Sequence, residues 1–441
     1  MKKLATWQGK WIEVILMKLY KHQERALELL AEHDSFALFM EQGTGKTIPA
    51  LIHVTNLLIA GDIDDCLIVA PLSTLGSWKR DLEKLSPMRQ RLASKITLIN
   101  YDKVWRREEY QREWGCIVLD EAHAIAHRTS KRSKCLLNLA KTAKYRYLLT
   151  GTPQSNGRLE DYYSLMSFLQ PNILGSWREF TARYTIERRL PGSFVNIICG
   201  YRNQEELLGI VGDYSYRVMK RDCLDLPDKL PDELILCELK EKQKYKQALK
   251  DFIEEFDMTI GNPLTKVMKL RQISSGFVYD EYGDLHPLKC DKLARLEELI
   301  DSIEGKVVVF CEFQYSIDQI SDLLNKKKIK YVALDGRQKD KTVWRSFQTD
   351  HEIKVIICQY LTANAGIDLF ASSHTVYYEP NLSTTVIEQS RDRIHRIGQS
   401  QPCSYYWMLT EGTIEEDIYK RLADKTDFNK SCLEEISKKF N

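Results

Sequence analysis

Residues 36–60 read FALFMEQGTGKTIPALIHVTNLLIA, and this stretch decides the fold. The run Phe36–Met40 is short and apolar, which predicts a buried β-strand. It leads directly into EQGTGKT, Glu41 to Thr47, and then into a helical pattern from Ile48 to Ala60. A strand, a glycine-containing loop and a helix in this order form the context that a phosphate-binding loop requires.

The loop supplies groups suited to holding the phosphates of a nucleotide. Gly43 and Gly45 let backbone N–H groups turn inward around phosphates. Lys46 brings a positive charge to the β- and γ-phosphates, and the hydroxyl of Thr47 is a ligand for Mg²⁺. Met40 stands where the strict motif has its first glycine, so a chance glycine-rich turn is the alternative interpretation. The predicted nucleotide-binding residues of the loop are Gly43, Thr44, Gly45, Lys46 and Thr47.

Short apolar runs alternate with helical patterns along two parts of the chain. In the first part the predicted strands are Phe36–Met40, Cys66–Ala70, Ile96–Ile99, Cys116–Leu119 and Tyr147–Leu149. In the second part they are Val307–Phe310, Tyr331–Leu334, Val355–Cys358, Val376–Tyr378 and Tyr405–Leu409. Strands that alternate with helices form parallel sheets covered on both faces. We therefore predict an α/β protein with two tandem parallel-sheet domains and helical insertions.

Changes in this pattern predict the domain boundaries. The N-terminal, nucleotide-binding domain is expected over residues 1–225, with a helical and aromatic insert at about 157–216. Residues 226–287 hold two helical patterns and lack Gly/Ser tracts, which predicts a helical connector rather than a flexible linker. The C-terminal domain is expected over residues 288–441.

The composition excludes several classes of protein. The 441 residues are 43% hydrophobic and 29% charged, which argues against disorder and against a fibre. No apolar run reaches the roughly 18 residues of a membrane span, so we expect no membrane partner. The N-terminus lacks the pattern of a secretory signal, and eleven scattered cysteines predict reduced thiols and an intracellular location. The formal net charge of +2 neither indicates nor excludes a nucleic-acid partner.

A second acidic motif follows another predicted strand. Cys116–Leu119 ends in DEAH, Asp120 to His123. Carboxylates at the carboxyl end of a parallel strand lie where α/β sheets bind ligands. Asp120 is then a candidate Mg²⁺ ligand, and Glu121 a candidate to orient and deprotonate an attacking water. An acidic helix N-terminus would look the same in isolation, and the upstream phosphate loop favours the catalytic interpretation.

Basic residues in the second part of the chain form a candidate donor array. The segment QSRDRIHR, Gln389 to Arg396, falls in a predicted helix Thr385–Ile397. On such a helix Gln389, Arg393 and Arg396 share one face and suit forked hydrogen bonds to a polyphosphate. A solvated basic helix is the alternative. Because the first domain shows no obvious arginine for its nucleotide, we predict that Arg393 and Arg396 complete its site on closure.

Further segments carry a resemblance to a known family. They are LYKHQ at Leu19–Gln23, VAPLSTLGSWKRDLEK at Val69–Lys84, LLTGTPQSNGRLEDYYSLMSFLQP at Leu148–Pro171, VMKRDCLDLPDKL at Val218–Leu230, VVVFCEF at Val307–Phe313, DRIHRIGQ at Asp392–Gln399 and GTIEEDI at Gly412–Ile418. Together they resemble the superfamily two helicase-like ATPases, and within these the Swi/Snf-type DNA translocases. The resemblance implies two RecA-like domains, ATP and Mg²⁺ as cofactors, and Gln23 as the reader of adenine. The donor array adds Gln389 as a candidate nucleotide-binding residue.

The sequence also departs from the family pattern. Gln42 and Thr44 differ from the residues usual in the family's phosphate loop, and Ala363–Asp368 lacks the paired glycines of motif V. These departures leave the details of DNA contact open. No chromodomain, bromodomain, RING or histone-reading segment is evident. We therefore expect a compact DNA translocase of the kind that phages and bacteria encode, acting as a monomer. The sequence leaves its protein partners unknown.

A run of basic residues predicts where nucleic acid lies. From Ala122 to Leu159 the chain has eight basic residues and no acidic one: Arg128, Lys131, Arg132, Lys134, Lys141, Lys144, Arg146 and Arg158. This run predicts a phosphate-facing surface, centred on Lys131, Arg132 and Lys134, and a solvated helix face is the alternative. The resemblance adds contacts to the sugar–phosphate backbone, with low sequence specificity, from Ser73, Thr74, Asn100, Thr152, Gln154 and Thr362. The candidates for stacking on bases are Trp78, Trp105 and Trp114, although tryptophan is more often packed inside.

These observations predict an ATP hydrolase that moves on duplex DNA with little strand separation. One alternative is a helicase that separates the strands of DNA or RNA. Others are an ATP-gated clamp without hydrolysis and the motor subunit of a restriction or defence complex. A complete set of predicted catalytic residues argues against the clamp: Lys46, Asp120, Glu121, Arg393 and Arg396.

Overall fold

The computed structural model describes residues 19–425, apart from 73, 155–157, 190–195, 224–225, 258–262, 281, 339, 341 and 364–366. The chain divides into two compact units, Met1–Asp225 and Leu226–Asn441. Among the helices in the described part, none is both long and apolar enough to cross a bilayer.

The first unit is built on a six-stranded sheet. Its strands are β1 Ser35–Met40, β2 Cys66–Ala70, β3 Ile96–Asn100, β4 Cys116–Asp120, β5 Tyr145–Leu149, β6 Thr185–Arg189, β7 Asn196–Tyr201 and β8 Ser215–Val218. Its helices are α1 Lys21–Glu32, α2 Thr47–Ala60, α3 Leu75–Glu83, α4 Pro87–Gln90, α5 Tyr101–Val104, α6 Lys131–Leu139, α7 Asp161–Leu169, α8 Trp177–Tyr184, α9 Gln204–Asp213 and α10 Lys220–Cys223. Short 3₁₀ helices cover Arg91–Lys95, Glu108–Tyr110 and Ala122–Ile125.

Six of these strands pair in parallel in the order β3-β2-β4-β5-β1-β8. Strand β1 shows why the sheet needs cover on both faces. Ala37 and Phe39 pack into one hydrophobic cluster, and Phe36, Leu38 and Met40 pack into the cluster on the other face. An apolar residue at every position is typical of a parallel strand buried on both sides.

The second unit repeats the architecture with a different strand order. Its strands are β9 Glu233–Cys237, β10 Phe277–Tyr279, β11 Leu285–Pro287, β12 Val307–Cys311, β13 Tyr331–Leu334, β14 Val355–Gln359, β15 His374–Tyr377 and β16 Ser404–Thr410. Its helices are α11 Lys242–Asp257, α12 Pro263–Ser274, α13 Lys292–Ser302, α14 Gln314–Lys326, α15 Trp344–Thr349, α16 Tyr360–Ala363, α17 Thr384–Ile394 and α18 Ile414–Ala423. Six strands pair in parallel in the order β13-β14-β12-β15-β16-β9.

The predicted fold class is confirmed, because each unit holds a parallel sheet with helices on both faces. All ten predicted strands are present, with ends that move by at most two residues. Two edge strands were not predicted, β8 in the first sheet and β9 in the second. Both are only partly buried, so they lack the continuous apolar run that identifies a central strand.

Two predicted segments differ in detail from the structure. Residues 226–287 contain the expected helices α11 and α12, but also β9 and the β10–β11 hairpin. This segment therefore contributes an edge strand to the second sheet as well as connecting the chain. The insert at about 157–216 contains α7, α8 and α9, and also the antiparallel hairpin β6–β7.

Candidate functional site

Three neighbouring strands bring the predicted catalytic segments together at the carboxyl edge of the first sheet. The order β4-β5-β1 places the loops after these strands side by side. The register pairs Leu149 with Leu38 on one side and with Asp120 on the other. The phosphate loop, the acidic pair and the turn that begins at Thr150 therefore start at the same level of the sheet.

The phosphate loop has the geometry that its glycines predict. Gly43 and Gly45 have φ angles of 81° and 77°, in the left-handed region that disfavours residues with a side chain. The buried hydroxyl of Thr44 donates a hydrogen bond of 2.7 Å to the carbonyl of Glu41 and closes the turn. Gly151, on the neighbouring loop, approaches so closely that a Cβ there would lie 3.0 Å from the backbone nitrogen of Gln42.

The structure brings Lys46 and Glu121 into direct contact. The Nζ atom of Lys46 donates to Oε1 of Glu121 across 3.2 Å, and the two side chains are only 9% and 14% exposed. Glu121 has a left-handed backbone, with φ 50° and ψ 53°, which is uncommon for a residue with a Cβ. The ring nitrogen Nδ1 of His123 lies 3.4 Å from Oε2 of Glu121 and 3.2 Å from Oγ1 of Thr150. His123 thus links the acidic motif to the loop after β5.

Asp120 is buried at the end of β4, with each carboxylate oxygen accepting a hydrogen bond. Oδ2 accepts from the indole Nε1–H of Trp78 at 2.8 Å, and Oδ1 accepts from the backbone N–H of Glu121 at 3.0 Å. Burial, and after it the charge of Glu121, raises the pKa of Asp120 to about 6. Lys46 and the indole of Trp78 act in the opposite direction, because both stabilise the ionised form.

Helix α1 packs its first residues against the phosphate loop. The amide Nε2 of Gln23 donates to the carbonyl of Gly45 at 3.0 Å, and its Oε1 accepts from the N–H of Tyr20 at 3.1 Å. The ring nitrogen Nε2 of His22 lies 2.8 Å from the carbonyl of Thr44. The role of Gln23 as an adenine reader stays a prediction, and the structure places its amide on the loop backbone. His22 was missed, since the sequence gives no signal for a histidine that meets a main-chain carbonyl.

The donor set at this edge suits a magnesium–nucleotide complex. Thr47 is the first residue of α2, and its hydroxyl with the oxygens of Asp120 provides hard oxygen ligands. In the described part of the chain no three His, Cys, Asp or Glu side chains cluster as a self-sufficient metal site. Mg²⁺ usually takes one or two carboxylates from a protein and completes its shell with phosphates and water.

In the second unit the predicted arrangement of the basic segment is wrong in one respect. Helix α17 ends at Ile394, and His395 leaves the helical conformation with ψ 81°. Gln389 and Arg393 lie on α17, but Arg396 follows its end and does not share a helix face with them. The cause is the side chain of His395, which turns away to the carbonyl of Pro227 at 2.8 Å.

Both arginines are fixed by their surroundings. Arg393 is 7% exposed, and its carbonyl accepts from the N–H of Leu369 at 2.9 Å. Arg396 forms an ion pair with Asp368 and donates to the carbonyl of Ile367 at 3.3 Å. The pair joins the segment after α16 to the segment after α17, so Arg396 is oriented by its own unit.

The predicted DNA-contacting residues fall into different environments. Asn100 is buried and caps α5, because its side chain accepts from the N–H of Lys103 at 2.8 Å. The hydroxyl of Thr74 donates to the carbonyl of Pro71 at 3.1 Å, and Thr152 lies 3.5 Å from His123. The remaining members are Gln154 and Thr362, which are partly exposed, and Ser73, which lies outside the described residues.

The basic run does not form a single surface. Lys131, Arg132 and Lys134 are exposed near the start of α6, which follows the carboxyl edge of the sheet. Lys141 and Lys144 lie after α6 and before β5, and so belong to the opposite edge. The other three are engaged: Arg128 covers the ring of Trp177 at 4.3 Å, Arg146 donates to Ser35 at 3.0 Å and Arg158 pairs with Glu160 at 2.9 Å.

The three tryptophans that were candidates for base stacking differ in their exposure to solvent. Trp78 and Trp114 are 1% and 4% exposed, so neither offers a ring face to a base. Trp105 is partly exposed, and Lys131 lies 5.1 Å from its ring centre. The contact of Trp78 with Asp120 could not be read from the sequence, because the two residues are 42 positions apart.

Comparison with known proteins places the chain. A model of the SNF2-related domain matches residues 88–276, and a model of the helicase conserved C-terminal domain matches residues 291–398. The chain is a Swi/Snf-type helicase-like ATPase. A model of the type III restriction enzyme res subunit also matches the ATPase over residues 16–155, which include the phosphate loop and the acidic motif.

The relatives of this ATPase include bacterial and animal proteins. An uncharacterized ATP-dependent helicase of Mycoplasma pneumoniae is 26% identical over 90% of this chain and 40% of its own length. A DNA repair and recombination protein RAD54-like of Drosophila yakuba is 24% identical over 89% of this chain and 59% of its own length. A solved Sulfolobus solfataricus SWI2/SNF2 ATPase core in complex with dsDNA is 25% identical, covering 96% and 94% of the two chains with a TM-score of 0.45. The chain spans 35% to 65% of the length of the first curated relatives it matches.

Proposed function

We propose that this chain is an ATP-dependent translocase that moves on duplex DNA with little strand separation. The observation that carries the proposal is the convergence of Lys46, Asp120 and Glu121 at one sheet edge, with Lys46 and Glu121 3.2 Å apart. In a Swi/Snf-type ATPase this is the set of groups that binds and cleaves a nucleoside triphosphate.

The ion pair between Lys46 and Glu121 suggests how binding and catalysis are ordered. A bound triphosphate competes with Glu121 for the ammonium group of Lys46, because both offer anionic oxygens to the same donor. Once Lys46 turns to the phosphates, the carboxylate of Glu121 is available to orient a water and accept its proton. The ion pair therefore keeps the general base occupied until the nucleotide arrives.

The remaining residues of the nucleotide site have distinct proposed roles. The N–H groups of the loop at Gly43, Thr44 and Gly45 cradle the phosphates, and Thr47 and Asp120 hold Mg²⁺. Bound Mg²⁺ would supply positive charge that offsets the negative charge of the phosphates. Gln389, Arg393 and Arg396 are proposed to reach the nucleotide from the second unit, with Arg393 and Arg396 stabilising charge that develops during cleavage.

Two observations support DNA as the partner. The Drosophila yakuba relative is, by name, a DNA repair and recombination protein. In this chain Lys131, Arg132 and Lys134 are exposed together at the start of α6, on the carboxyl side of the first sheet. Contacts of such side chains, and of Ser73, Thr74, Thr152, Gln154 and Thr362, to phosphates carry no base information. We therefore propose low sequence specificity.

The first experiment compares phosphate release from ATP with no polymer, duplex DNA, single-stranded DNA and RNA. We expect strong stimulation by duplex DNA, displacement of a third strand from a DNA triplex and little unwinding of a forked duplex. Lys46→Ala serves as the control for contaminating ATPases, because it removes the phosphate-binding charge. Stimulation by RNA alone, or robust fork unwinding, would replace the translocase with the strand-separating helicase.

The path of the DNA is tested by a matched pair of double variants. Lys131→Gln with Lys134→Gln removes two charges near the proposed path, and Lys141→Gln with Lys144→Gln removes two at the opposite edge of the sheet. Each lost phosphate contact lowers the slope of log K against log salt by about 0.9 on duplex DNA. We expect the slope to fall by about two contacts in the first variant only. If the slope of log K against log salt is the same in both double variants, Lys131 and Lys134 face solvent and do not contact DNA.

A second candidate function rests on the match of residues 16–155 to the type III restriction enzyme res subunit. In that case the chain is the motor of a larger restriction complex. Such a motor would be stimulated fully only when its specificity partner recruits it to DNA, whereas the proposed translocase responds to plain duplex DNA alone. The first experiment therefore separates the two candidates.

A further inference from the structure

The indole of Trp78 is buried and directed at the carboxylate that ends β4. Trp78 lies on α3 and is 1% exposed. Its Nε1–H donates to Oδ2 of Asp120 at 2.8 Å. An indole N–H can only donate, so Trp78 is always the donor and Asp120 always the acceptor in this hydrogen bond.

The other contacts of Asp120 leave little freedom for its carboxylate plane. Oδ1 accepts from the N–H of Glu121 at 3.0 Å, and the hydroxyl of Tyr101 donates to the main-chain carbonyl of Asp120 at 2.7 Å. The backbone is thus held by Tyr101, one oxygen by the chain itself and the other oxygen by Trp78. Each carboxylate oxygen has two lone pairs, so both keep capacity for a further ligand.

A comparison with Trp114 distinguishes this contact from ordinary core packing. Trp114 lies in the same unit and is 4% exposed, and its Nε1–H donates to the main-chain carbonyl of Tyr110 at 3.2 Å. That bond joins two parts of one local loop. The bond from Trp78 crosses from α3 to the last residue of β4 and is the shorter of the two. A charge-assisted bond to a carboxylate is also roughly twice as strong as one to a neutral carbonyl.

We propose that Trp78 is a positioning residue that holds the carboxylate of Asp120 in the orientation required by a magnesium–nucleotide complex. The proposal rests on the proposed function, because it takes Asp120 as a ligand of Mg²⁺ in the ATP site. It adds a residue of α3, from the segment Val69–Lys84 that carries part of the family resemblance, to the machinery of the nucleotide site. Residues that orient a metal ligand typically change metal affinity by 10- to 100-fold when they are replaced.

The first test compares Trp78→Phe with Trp114→Phe in the full chain. Both variants remove an indole N–H and keep an aromatic ring. Equilibrium binding of a fluorescent ATP analogue is measured over a Mg²⁺ titration and again in EDTA. We expect the Mg²⁺ concentration for half-maximal tightening to rise 10- to 100-fold in Trp78→Phe, with little change in EDTA. In Trp114→Phe both values should match the wild type.

Two results of this test have separate meanings. A wild type whose nucleotide affinity does not respond to Mg²⁺ would contradict the proposed function itself. A normal response in the wild type, together with an unchanged Mg²⁺ requirement in Trp78→Phe, would overturn only the role of Trp78.

The second test needs no bound ligand and does not depend on Trp78→Phe folding. The indole ¹H–¹⁵N resonances of Trp78 and Trp114 are followed in the nucleotide-free protein and in Asp120→Asn. Removing the charge on the acceptor should shift the Trp78 resonance and leave that of Trp114 in place. A Trp78 resonance that does not move would show that the indole does not bond to the carboxylate, and the proposal would fail.

Discussion

The two sheets carry acidic side chains at comparable positions, yet those side chains have different neighbours. In the first unit, Asp120 is the last residue of β4 and Glu121 follows it. Glu121 forms an ion pair with Lys46, a residue of the phosphate loop that is also positioned to bind a ligand. In the second unit, Glu312 follows β12, and its Oε2 lies 3.2 Å from Arg271 and 2.8 Å from Nδ2 of Asn381.

The second acidic position in the second unit is also internally satisfied. Glu379 follows β15 and is 1% exposed, and it accepts from the N–H of Glu312 at 2.9 Å and from the hydroxyl of Ser316. Both donors are groups of the second unit itself, and neither is placed on a ligand-binding loop. The comparison teaches that a carboxylate at a sheet edge becomes a site only when its partner is a residue that a ligand can draw away.

The largest expected effect separates the two acidic edges by turnover. Glu121→Gln removes the proposed general base and should lower kcat by about 10²- to 10⁴-fold. It should also tighten ATP binding, because Lys46 loses its internal competitor. Glu312→Gln should leave kcat nearly unchanged, since its partners are Arg271 and Asn381. Steady-state phosphate release and equilibrium nucleotide binding measure both, and near-normal turnover of Glu121→Gln would remove the assigned mechanism.

The next effect concerns stability and uses the buried ion pair of the second unit. Nζ of Lys292 lies 2.7 Å from both oxygens of Glu415, and each side chain is 1% exposed. Lys292→Met leaves Glu415 buried without its cation and should destabilise the second unit by about 3–5 kcal/mol.

This prediction has two matched controls. One is the double variant that combines Lys292→Met with Glu415→Gln, and the other is the single variant Lys46→Met. The double variant should recover much of the loss, because no uncompensated charge is left inside. Lys46→Met should cost far less, since the partner of Lys46 lies at a ligand-accessible edge. Hydrogen exchange in the full chain measures the effect, in peptides of α13 and α18 for Lys292→Met and in peptides of β1 and α2 for Lys46→Met. Equal losses for both lysines would contradict the contrast.

One buried group in each unit should also respond to pH, and the two responses have opposite directions. Burial lowers the pKa of His53 to about 3, and its Nε2 lies 2.7 Å from the hydroxyl of Tyr147. Since an unfolded histidine titrates near 6.5, the unfolded chain binds the proton first. The stabilisation that neutral His53 contributes to the first unit is therefore present above about pH 6.5 and is lost as pH falls from there towards 3.

Glu379 gives the second unit the reverse dependence. Burial raises its pKa to about 7, and Glu415 adds to the shift, whereas Lys292, the Ser316 hydroxyl and the N–H of Glu312 oppose it. An unfolded glutamate titrates near 4.3, so the stabilisation is full below that pH and is lost as pH rises through about 7. Hydrogen exchange of β12 and β15 peptides, corrected for intrinsic rates, gives the free energy of opening of these strands. This free energy should fall by on the order of 2–3 kcal/mol between pH 5 and 8. Glu379→Gln should remove this trend, and a trend that persists would assign it to another group.

The smallest effect compares a helix cap in each unit. Asn100 caps α5 by accepting from Lys103, and Thr413 caps α18 by accepting from the N–H of Glu415 at 3.4 Å. Alanine at either position should cost about 1 kcal/mol of stability. Asn100→Asp keeps the cap. A loss of duplex affinity in Asn100→Asp that Thr413→Ala does not show would therefore support a DNA contact. Unchanged affinity in Asn100→Asp would leave Asn100 as a cap only.

Local sequence patterns predicted the central strands and the phosphate loop because both depend on neighbours in the chain. Every position of β12 is apolar, as is every position of β1 after Ser35, and Gly43 and Gly45 stand where the backbone needs positive φ. The edge strands β8 and β9 escaped notice because one face or end of each is exposed.

Long-range side-chain contacts could not be predicted in the same way. The bond from Trp78 to Asp120 and the pair of Lys292 with Glu415 join residues 42 and 123 positions apart. The position of Arg396 was wrong because helical periodicity was extended past His395, whose ring bonds a carbonyl that lies 168 residues earlier. Periodicity describes a helix but does not reveal a tertiary contact that ends it.

The close approach at Gly151 has a mechanical consequence. A Cβ at this position would lie 3.0, 3.2 and 3.3 Å from the backbone atoms of Gln42, Met40 and Glu41. Main chain therefore faces main chain, with no flexible side chain between them to absorb movement. Any residue with a Cβ at position 151 would therefore force one of the two loops to shift by a few tenths of an ångström. The missing side chain of Gly151 is what lets the phosphate loop and the loop after β5 lie this close together.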